Sequence, residues 1–407
     1  MTARGLMSDA GILRATVGSE TARLCARQYA GQLRAVILTG SLARDEGTWR
    51  TDGRRARALG DAEFLLVFAD RAPLPDAAHV GKVAKRIDSH LAALGIVCPI
   101  TLSPVRARYL RRLRPAIFAH ELRTSGQVVW GDATVLSLIP PFSALAIPLE
   151  DAWRLLCNRL VEQLEAAPEM TERSTDPAEP ALYRTVKLHL DMATSLLVFL
   201  GSYEPTYRQR AERLRDLARQ QHTDRYPFRL EPFARIVTAC TEWKLAEGDA
   251  PAPEGVSWEG VIERSHRLWR WEVARLTGAS ADLSDHALLE TWLGRQPAVD
   301  RARGWLHVLR KCGWQRSWRL WPRWTHLARR GSPRYLVYSA ACRLLFELPR
   351  LEGGGSDRAD ESTGWEEIWG DLPVIRPWAN QRRALPWQEA ATEITWSYRE
   401  FLVGTRA

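Results

Sequence analysis

The sequence predicts an α/β (α+β) domain with a small mixed sheet, followed by a larger all-α region. Three apolar runs, at 35–39, 61–70 and 96–105, are short enough for buried strands and alternate with helical segments. Beyond residue 148 the apolar residues recur at helical spacing over segments of 10 to 21 residues, most of which are too long for typical strands. This change of period separates a sheet-forming third of the chain from a helical remainder.

Proline and glycine mark the expected domain boundaries. The Pro140-Pro141 pair ends the first pattern, and the Gly-rich, charged stretch at 351–362 is typical of a flexible linker. We therefore expect an α/β domain at 20–141, a helical domain at 148–350 and a C-terminal helical tail at 363–407.

The elements of the first domain follow from apolar patterning and capping residues. Ser19 suits an N-cap, and Glu20 then lies in the first turn of a helix predicted at 19–34. The run at 35–39 is a strand ended by Gly40. The strand at 61–70 is almost continuously apolar, as expected of a strand covered on both faces. The remaining predictions are a helix at 77–95, an edge strand at 96–105, a helix at 106–123 and a short strand at 127–131.

The second region is predicted to be helical throughout. Its helices are expected at 150–166, 180–200, 206–221, 228–247, 257–277, 284–293, 298–312 and 333–347.

Composition limits the classes of function and location. The net charge of +9 favours an acidic partner such as a nucleotide, a nucleic acid or a membrane surface, although biased genome composition also produces arginine-rich chains. The six cysteines are scattered, without a CxxC or Cys/His cluster, which argues against structural zinc and for reduced thiols in the cytoplasm. No apolar run reaches the ~18 residues of a membrane span, and the N-terminus has no apolar signal region. We expect a soluble, cytoplasmic protein.

The chemistry-bearing pattern is Gly40-Ser41 at the end of one strand, followed by Asp61-x-Glu63 at the start of the next. Side chains at i and i+2 of a strand share a face, so Asp61 and Glu63 are expected to project together. Two adjacent carboxylates repel each other unless a cation lies between them, and Mg²⁺ suits a pair of carboxylates completed by water and phosphates. Gly40 lets the backbone approach a phosphate, and the Ser41 hydroxyl can donate to it. Two solvated acids at an exposed strand end are the alternative.

This arrangement resembles the DNA polymerase β-like nucleotidyltransferase superfamily. The resembling segments are LTGSLARDEG at 38–47 and LGDAEFLLVF at 59–68, within a region of about 20–140. More weakly, residues 182–208 resemble the helix that follows the catalytic domain in aminoglycoside-nucleotidyltransferase-like proteins.

The resemblance implies transfer of a nucleoside monophosphate, with AMP as the first expectation, from a nucleoside triphosphate to an acceptor hydroxyl. Asp61 and Glu63 would hold Mg²⁺, while Gly40 and Ser41 would bind the triphosphate. Arg44 would neutralise phosphate charge or else lie at the surface. Lys187 would reach the phosphates from the following helix, or else be a solvated helix residue. The acceptor is a small molecule or a protein, and the sequence leaves open which.

Two departures from the family pattern support an alternative function. The interval from Ser41 to Asp61 is long and arginine-rich, with Arg50, Arg54, Arg55 and Arg57. The third carboxylate of the family, expected on the next strand, is replaced near Thr101, and threonine is no general base. The alternative is therefore a catalytically degenerate binding or sensor module of the same fold. A nucleic-acid polymerase or tailing enzyme ranks below both, and the oligomeric state stays open.

One further stretch, at 301–346, contains eleven Arg or Lys residues and no Asp or Glu, with five tryptophans among them. Trp314, Trp318 and Trp321 follow helical spacing, which favours helix packing with arginines at the rim. A partner or membrane surface is the second interpretation and a single-stranded nucleic acid site the third. Pro322 is expected to interrupt any helix here.

Overall fold

A computed structural model of the chain describes residues 9–51, 55–171, 179–220, 226–246, 248, 250–280, 282–312, 314–352, 368, 370, 372–373 and 386–402. The chain divides into two compact units. The first comprises Met1–Asp151, Leu197–Gln221 and Leu230–Gly255, and the second comprises Ala152–Leu196, His222–Arg229 and Val256–Ala407. A small mixed sheet followed by a larger helical region confirms the fold class in outline.

The first unit contains the predicted elements in the predicted order, but with three corrections. The first helix begins at Asp9, so Ser19 is not its N-cap, the helix predicted at 106–123 is two helices, and the strand predicted at 96–105 is two strands that belong to different sheets. The N-terminal part of the unit consists of α1 (Asp9–Gln28), β1 (Leu33–Thr39), α2 (Gly40–Ala43), β2 (Trp49–Thr51), β3 (Ala56–Ala58), β4 (Ala62–Phe68), α3 (Ala77–Ala93), β5 (Ile96–Val97), β6 (Ile100–Arg106), α4 (Ala107–Arg111), α5 (Ile117–Ser125) and β7 (Gln127–Gly131). Helix α1 ends earlier than predicted because Gly31 takes a positive φ of 72°, which turns the chain so that β1 begins at Leu33.

The main sheet has the strand order β6-β4-β1-β7. Strand β1 is antiparallel to both of its neighbours, whereas β4 and β6 run parallel. Strand β6 therefore lies at an edge, as Pro99 indicates from the sequence.

Both faces of this sheet are covered. Val36, Leu38, Phe64 and Leu66 pack into a core with residues of α1 and α3. Their neighbours along the strands, among them Ile37, pack into a second core with residues of α4, α5 and the segment after β7. The near-continuous apolar sequence of β1 and β4 results from this double covering.

The long interval between Ser41 and Asp61 contains two strands that the sequence analysis did not predict. Strands β2 and β3 form an antiparallel hairpin, and β5 adds to it in parallel as a second small sheet. The interval is therefore folded structure on either side of residues 52–54, which lie outside the described part and include Arg54.

The same unit also contains two helices from much later in the chain, α8 (Tyr207–Arg219) and α9 (Leu230–Leu245), which pack against each other. The sheet unit thus holds the predicted 20–141 domain together with two helices that we expected within 148–350. Thr206 caps α8, accepting a hydrogen bond from the Gln209 amide.

The second unit is helical in its described residues. Helices α6 (Leu149–Thr171) and α7 (Glu179–Phe199) lie largely within it. They are followed by α10 (Trp258–Thr277), α11 (Asp285–Arg295), α12 (Ala298–Cys312), α13 (Trp314–Arg330), α14 (Pro333–Glu352) and α15 (Trp387–Leu402). Helix α14 packs against α10, α11, α12 and α15. Trp153 lies in an aromatic core here, stacked on Tyr335 with ring centroids 5.4 Å apart.

In the C-terminal part of the chain, one prediction is wrong and others fall partly outside the described residues. Helix α13 continues through Pro322, so the expected interruption is wrong. The predicted linker at 351–362 lies outside the described residues, except for the two that end α14. Of the predicted tail, the described residues fall in the second unit. Among the helices that the structure describes, none is both long and apolar enough to cross a bilayer.

Candidate functional site

The residues of the sequence motif meet where β1 ends and β4 begins. The antiparallel register of these strands pairs Thr39 with Glu63, so the Gly-Ser turn that follows Thr39 lies beside the acidic strand end. Helix α2, a single turn, begins at Gly40 directly after the strand. Strand order and register thus bring Gly40, Ser41 and Glu63 to one edge of the sheet.

Gly40 and Glu63 are in direct apposition. Gly40 has a φ of +72°, and a Cβ atom placed on it would lie 2.6 Å from Oε2 of Glu63. A distance under 3.0 Å means that any side chain here would displace the carboxylate or the turn. Only glycine therefore allows the carboxylate to lie against the backbone of the turn.

Asp61 lies immediately before β4 and is exposed. Its Oδ2 accepts a hydrogen bond of 2.7 Å from the Thr101 hydroxyl. Thr101 is paired in register with Glu63 on the neighbouring parallel strand β6, and residues in register share a face of the sheet. The side chains of Asp61, Glu63 and Thr101 therefore project on the same side of the sheet.

Thr101 thus occupies the place that the sequence analysis gave it, on the strand beside the acidic pair. The side-chain oxygens at this edge of the sheet are therefore the carboxylates of Asp61 and Glu63 and the hydroxyl of Thr101. In the described part of the chain, no group of three or more His, Cys, Asp or Glu side chains could hold a metal ion. A pair of carboxylates fits Mg²⁺, which takes one or two carboxylates and completes its shell with water and phosphate oxygens.

Arg44 is not the surface residue that one interpretation of the sequence suggested, and its role at a phosphate stays a prediction. Its side chain is only 5% exposed, so it is no surface residue. Nε donates to Glu46 Oε2 at 2.8 Å and Nη1 donates to Glu121 Oε2 at 2.5 Å. The Tyr207 ring lies 5.4 Å from the guanidinium carbon. Phosphate binding by Arg44 would need the remaining nitrogen, Nη2, or the release of one of these carboxylates.

Arg44 belongs to a buried network, the Glu121 cluster, which consists of Arg44, Glu46, Glu121, Tyr203 and Arg210. Oε1 of Glu121 accepts from the Tyr203 hydroxyl at 2.7 Å and from Nη2 of Arg210 at 2.5 Å. Burial by itself would raise the pKa of Glu121, but Arg44 and Arg210 outweigh it and hold that pKa below its ordinary value. Two guanidinium groups and two carboxylates thus balance one another.

Sequence reasoning missed this cluster apart from Arg44. The ion-pairing partners of Glu121 lie 77 and 89 positions away from it in the chain, on elements whose contact no local pattern reveals. The burial of these charged side chains is seen in the structure, and composition does not show it.

The arginines between Ser41 and Asp61 differ in burial, because Arg55 and Arg57 are exposed whereas Arg50 is not. Arg50 is buried on β2, with its guanidinium carbon 4.7 Å from the centre of the Trp243 ring of α9. Beside it, Nζ of the buried Lys244 lies 3.1 Å from the Thr48 hydroxyl. Both contacts tie the hairpin to α9 within the first unit.

Lys187 lies on the part of α7 that belongs to the second unit, with Nζ 5.7 Å from the centre of the Tyr183 ring. Its expected role at the phosphates stays a prediction.

No protein-family model matches this chain, and a search of the curated proteins finds no match either.

Proposed function

We propose that the first unit binds a Mg²⁺–nucleoside triphosphate and transfers its nucleoside monophosphate, AMP as the first expectation, to an acceptor hydroxyl. The apposition of Gly40 and Glu63 carries this proposal. Here a backbone turn that phosphate can approach lies beside a carboxylate. Oε2 of Glu63 is 2.6 Å from the position that a Cβ atom on residue 40 would take. The acceptor is a small molecule or a protein.

Asp61 and Glu63 would hold the metal. Oxygen donors on one face of the sheet suit Mg²⁺, which when bound supplies charge neutralisation at the phosphate oxygens. The Thr101 hydroxyl orients Asp61 through its hydrogen bond. These side chains thus form the acidic half of the site.

Gly40 and Ser41 would form the phosphate-binding half. Without a side chain at Gly40, the backbone of the turn can contact phosphate oxygens, and Ser41 supplies a hydroxyl donor. The acceptor oxygen then forms its bond to the α-phosphorus while the bond to pyrophosphate breaks. The proton of the acceptor hydroxyl must leave to a group other than Thr101, because threonine is no general base near neutral pH.

A calorimetric titration of ATP, with and without Mg²⁺, tests the site. We expect Mg²⁺-dependent binding to the wild type and its loss in an Asp61→Asn/Glu63→Gln variant. Asp216→Asn/Glu231→Gln is the matched control, since it makes the same charge change at exposed positions on α8 and α9 of the same unit. Equal binding by wild type and the Asp61/Glu63 variant would refute the metal assignment.

A non-catalytic binding or sensor module is the second candidate, and the Thr101–Asp61 hydrogen bond favours it. A hydroxyl lies at the position where a third carboxylate would act as base. This candidate predicts Mg²⁺–ATP binding without pyrophosphate release for every acceptor tried. Pyrophosphate release with any acceptor, absent in the Asp61→Asn/Glu63→Gln variant, would decide for the enzyme.

A further inference from the structure

We propose that Glu121 and Arg210 are positioning residues that fix the Gly40–Arg44 turn, so that helix α8 is an integral part of the site. The inference rests on the proposed function in so far as the turn is the phosphate-binding element. It concerns two residues that lie outside the Gly-Ser and Asp-x-Glu motifs of the sequence.

The turn is held from outside at several points. The Ser41 carbonyl accepts from the Glu46 amide at 2.8 Å, and the Ala43 carbonyl accepts from Nε2 of Gln127 at 2.5 Å. Arg44, the residue after α2, forms ion pairs with the carboxylates of Glu46 and Glu121. The C-terminal end of the turn is thereby tied to β7 and α5.

The Glu121 cluster connects this turn to α8. Arg210 is 3% exposed and donates to Glu121 Oε1, and the same guanidinium donates to the Tyr203 hydroxyl and to the carbonyls of Glu204 and Pro205. Oε1 of Glu46 accepts from the amide of Tyr207, the first residue of α8, at 2.6 Å. A carboxylate at this place also complements the positive end of the helix.

The energetics favour a positioning role over a purely stabilising one. Taking charges out of water costs several kcal/mol for each ion, and buried ion pairs are often no more stable than apolar residues of the same volume. Breaking one by removing a partner is strongly destabilising, however, because it strands a buried charge. Because a displaced partner would leave a buried charge unpaired, the network favours a single arrangement of its side chains. Arg44 belongs to that arrangement, so the arrangement includes the end of the Gly-Ser turn.

Hydrogen–deuterium exchange of the full-length protein tests this without any ligand. In Glu121→Gln we expect amide exchange in residues 40–46 to accelerate on the order of tenfold, while α3 exchanges as in the wild type. Arg210→Met should act likewise, and Arg210→Lys, which keeps the charge, should restore part of the protection. Tyr203→Phe removes one donor to Glu121 and serves as the milder variant if Glu121→Gln does not fold.

Asp191→Asn is the matched control. It neutralises a buried carboxylate that is ion-paired with Arg159 in the second unit, and it should leave exchange at residues 40–46 unchanged. Unchanged exchange at residues 40–46 in Glu121→Gln and Arg210→Met would overturn the positioning role. So would acceleration spread evenly over the whole unit, because that would mean general destabilisation.

Mg²⁺–ATP affinity of the same variants completes the test. We expect binding to weaken about tenfold in Glu121→Gln, with Arg210→Lys closer to the wild type than Arg210→Met. Wild-type affinity in a variant with a loosened turn would refute the role of these residues in positioning the site. Absence of Mg²⁺–ATP binding in the wild type would overturn the proposed function alone, since the exchange measurement needs no nucleotide.

Discussion

The hydroxyl of Thr101 donates to Oδ2 of Asp61 across 2.7 Å, between two parallel strands that are paired in register. A neutral donor here orients one acid and adds no negative charge. Under the proposed function this residue sets how many carboxylates would face a bound Mg²⁺, so it offers the most direct test of the two proposed functions.

Thr101→Asp should strengthen metal binding. A third carboxylate beside Asp61 raises the negative charge of the site, so Mg²⁺ affinity measured by calorimetry in the presence of ATP should increase on the order of tenfold. Without Mg²⁺ the like charges repel, and the melting temperature should fall below that of the wild type. Thr101→Asn, similar in size and uncharged, should show neither effect. Unchanged Mg²⁺ affinity in Thr101→Asp would place the metal elsewhere.

Gly40→Ala should abolish Mg²⁺–ATP binding. The backbone conformation at φ +72° costs a non-glycine residue roughly 1–2 kcal/mol, and the new Cβ would also displace the Glu63 carboxylate. The two effects are separable because Gly31 has the same φ of 72° and no atom within 4 Å of its Cβ position.

Gly31→Ala is therefore the control for Gly40→Ala. Both variants should lose a similar amount of stability from the backbone term in urea unfolding, but only Gly40→Ala should lose Mg²⁺–ATP affinity. Equal affinity of the two variants would contradict the proposed role of the Gly40–Glu63 apposition.

The sequence predicted strands at the positions of β1, β4 and β6, of which β1 and β4 are contiguous apolar runs. It did not predict the strand order and register, which bring Gly40, Ser41, Glu63 and Thr101 together. Strands can be recognised from the sequence because their apolar pattern depends only on residues that are close together in the chain.

The hairpin and the Glu121 cluster could not be predicted in this way. Strands β2 and β3 are three residues each, and the buried Arg50 of β2 lies over the ring of Trp243 from α9. Arg44 reads as a surface or phosphate-binding residue because its partner Glu121 is far away in sequence. Tertiary partners determine the environment of both arginines, and apolar periodicity carries no information about them.

Two tryptophans of the basic stretch at 301–346 differ in burial. Trp324 is buried, lies 5.9 Å from Trp305 between ring centroids, and donates through Nε1 to the Pro373 carbonyl at 2.6 Å. Trp321, on the same helix, is half exposed. Packing was predicted from the spacing of Trp314, Trp318 and Trp321, and the exposure of Trp321 does not fit it, while the side chains of Trp314 and Trp318 lie outside the described part. The packed tryptophans of this stretch include Trp305 and Trp324.

Trp324→Ala should destabilise the second unit by about 3–5 kcal/mol, whereas Trp321→Ala should change stability by less than about 0.5 kcal/mol in urea unfolding. If instead Trp321 contributes to a nucleic acid site, Trp321→Ala should weaken a salt-dependent binding of single-stranded oligonucleotides. Equal destabilisation by both substitutions would contradict the difference in burial.

The second unit contains a carboxyl group that should make its stability depend on pH. Glu272 is fully buried on α10, its Oε1 accepts from the Ser195 hydroxyl at 2.6 Å, and its Oε2 has no hydrogen-bond partner in the described structure. Burial raises the pKa of Glu272 to about 8, against the weaker opposing effect of the Ser195 hydrogen bond. At neutral pH the folded unit therefore holds this side chain protonated.

The sign of the effect follows from the two pKa values. Unfolded chain releases the proton near the ordinary glutamate pKa of 4.5, whereas folded chain keeps it up to about 8, so stability falls as pH rises through that interval and levels off above it. Glu272→Gln removes this dependence and should be more stable than the wild type at pH 8 by roughly 4 kcal/mol, with a much smaller difference at pH 5. Urea unfolding of the second unit between pH 5 and 9 measures this. Glu263→Gln, an exposed position on the same helix, should keep the wild-type profile, and a wild-type profile in Glu272→Gln would show that another group titrates.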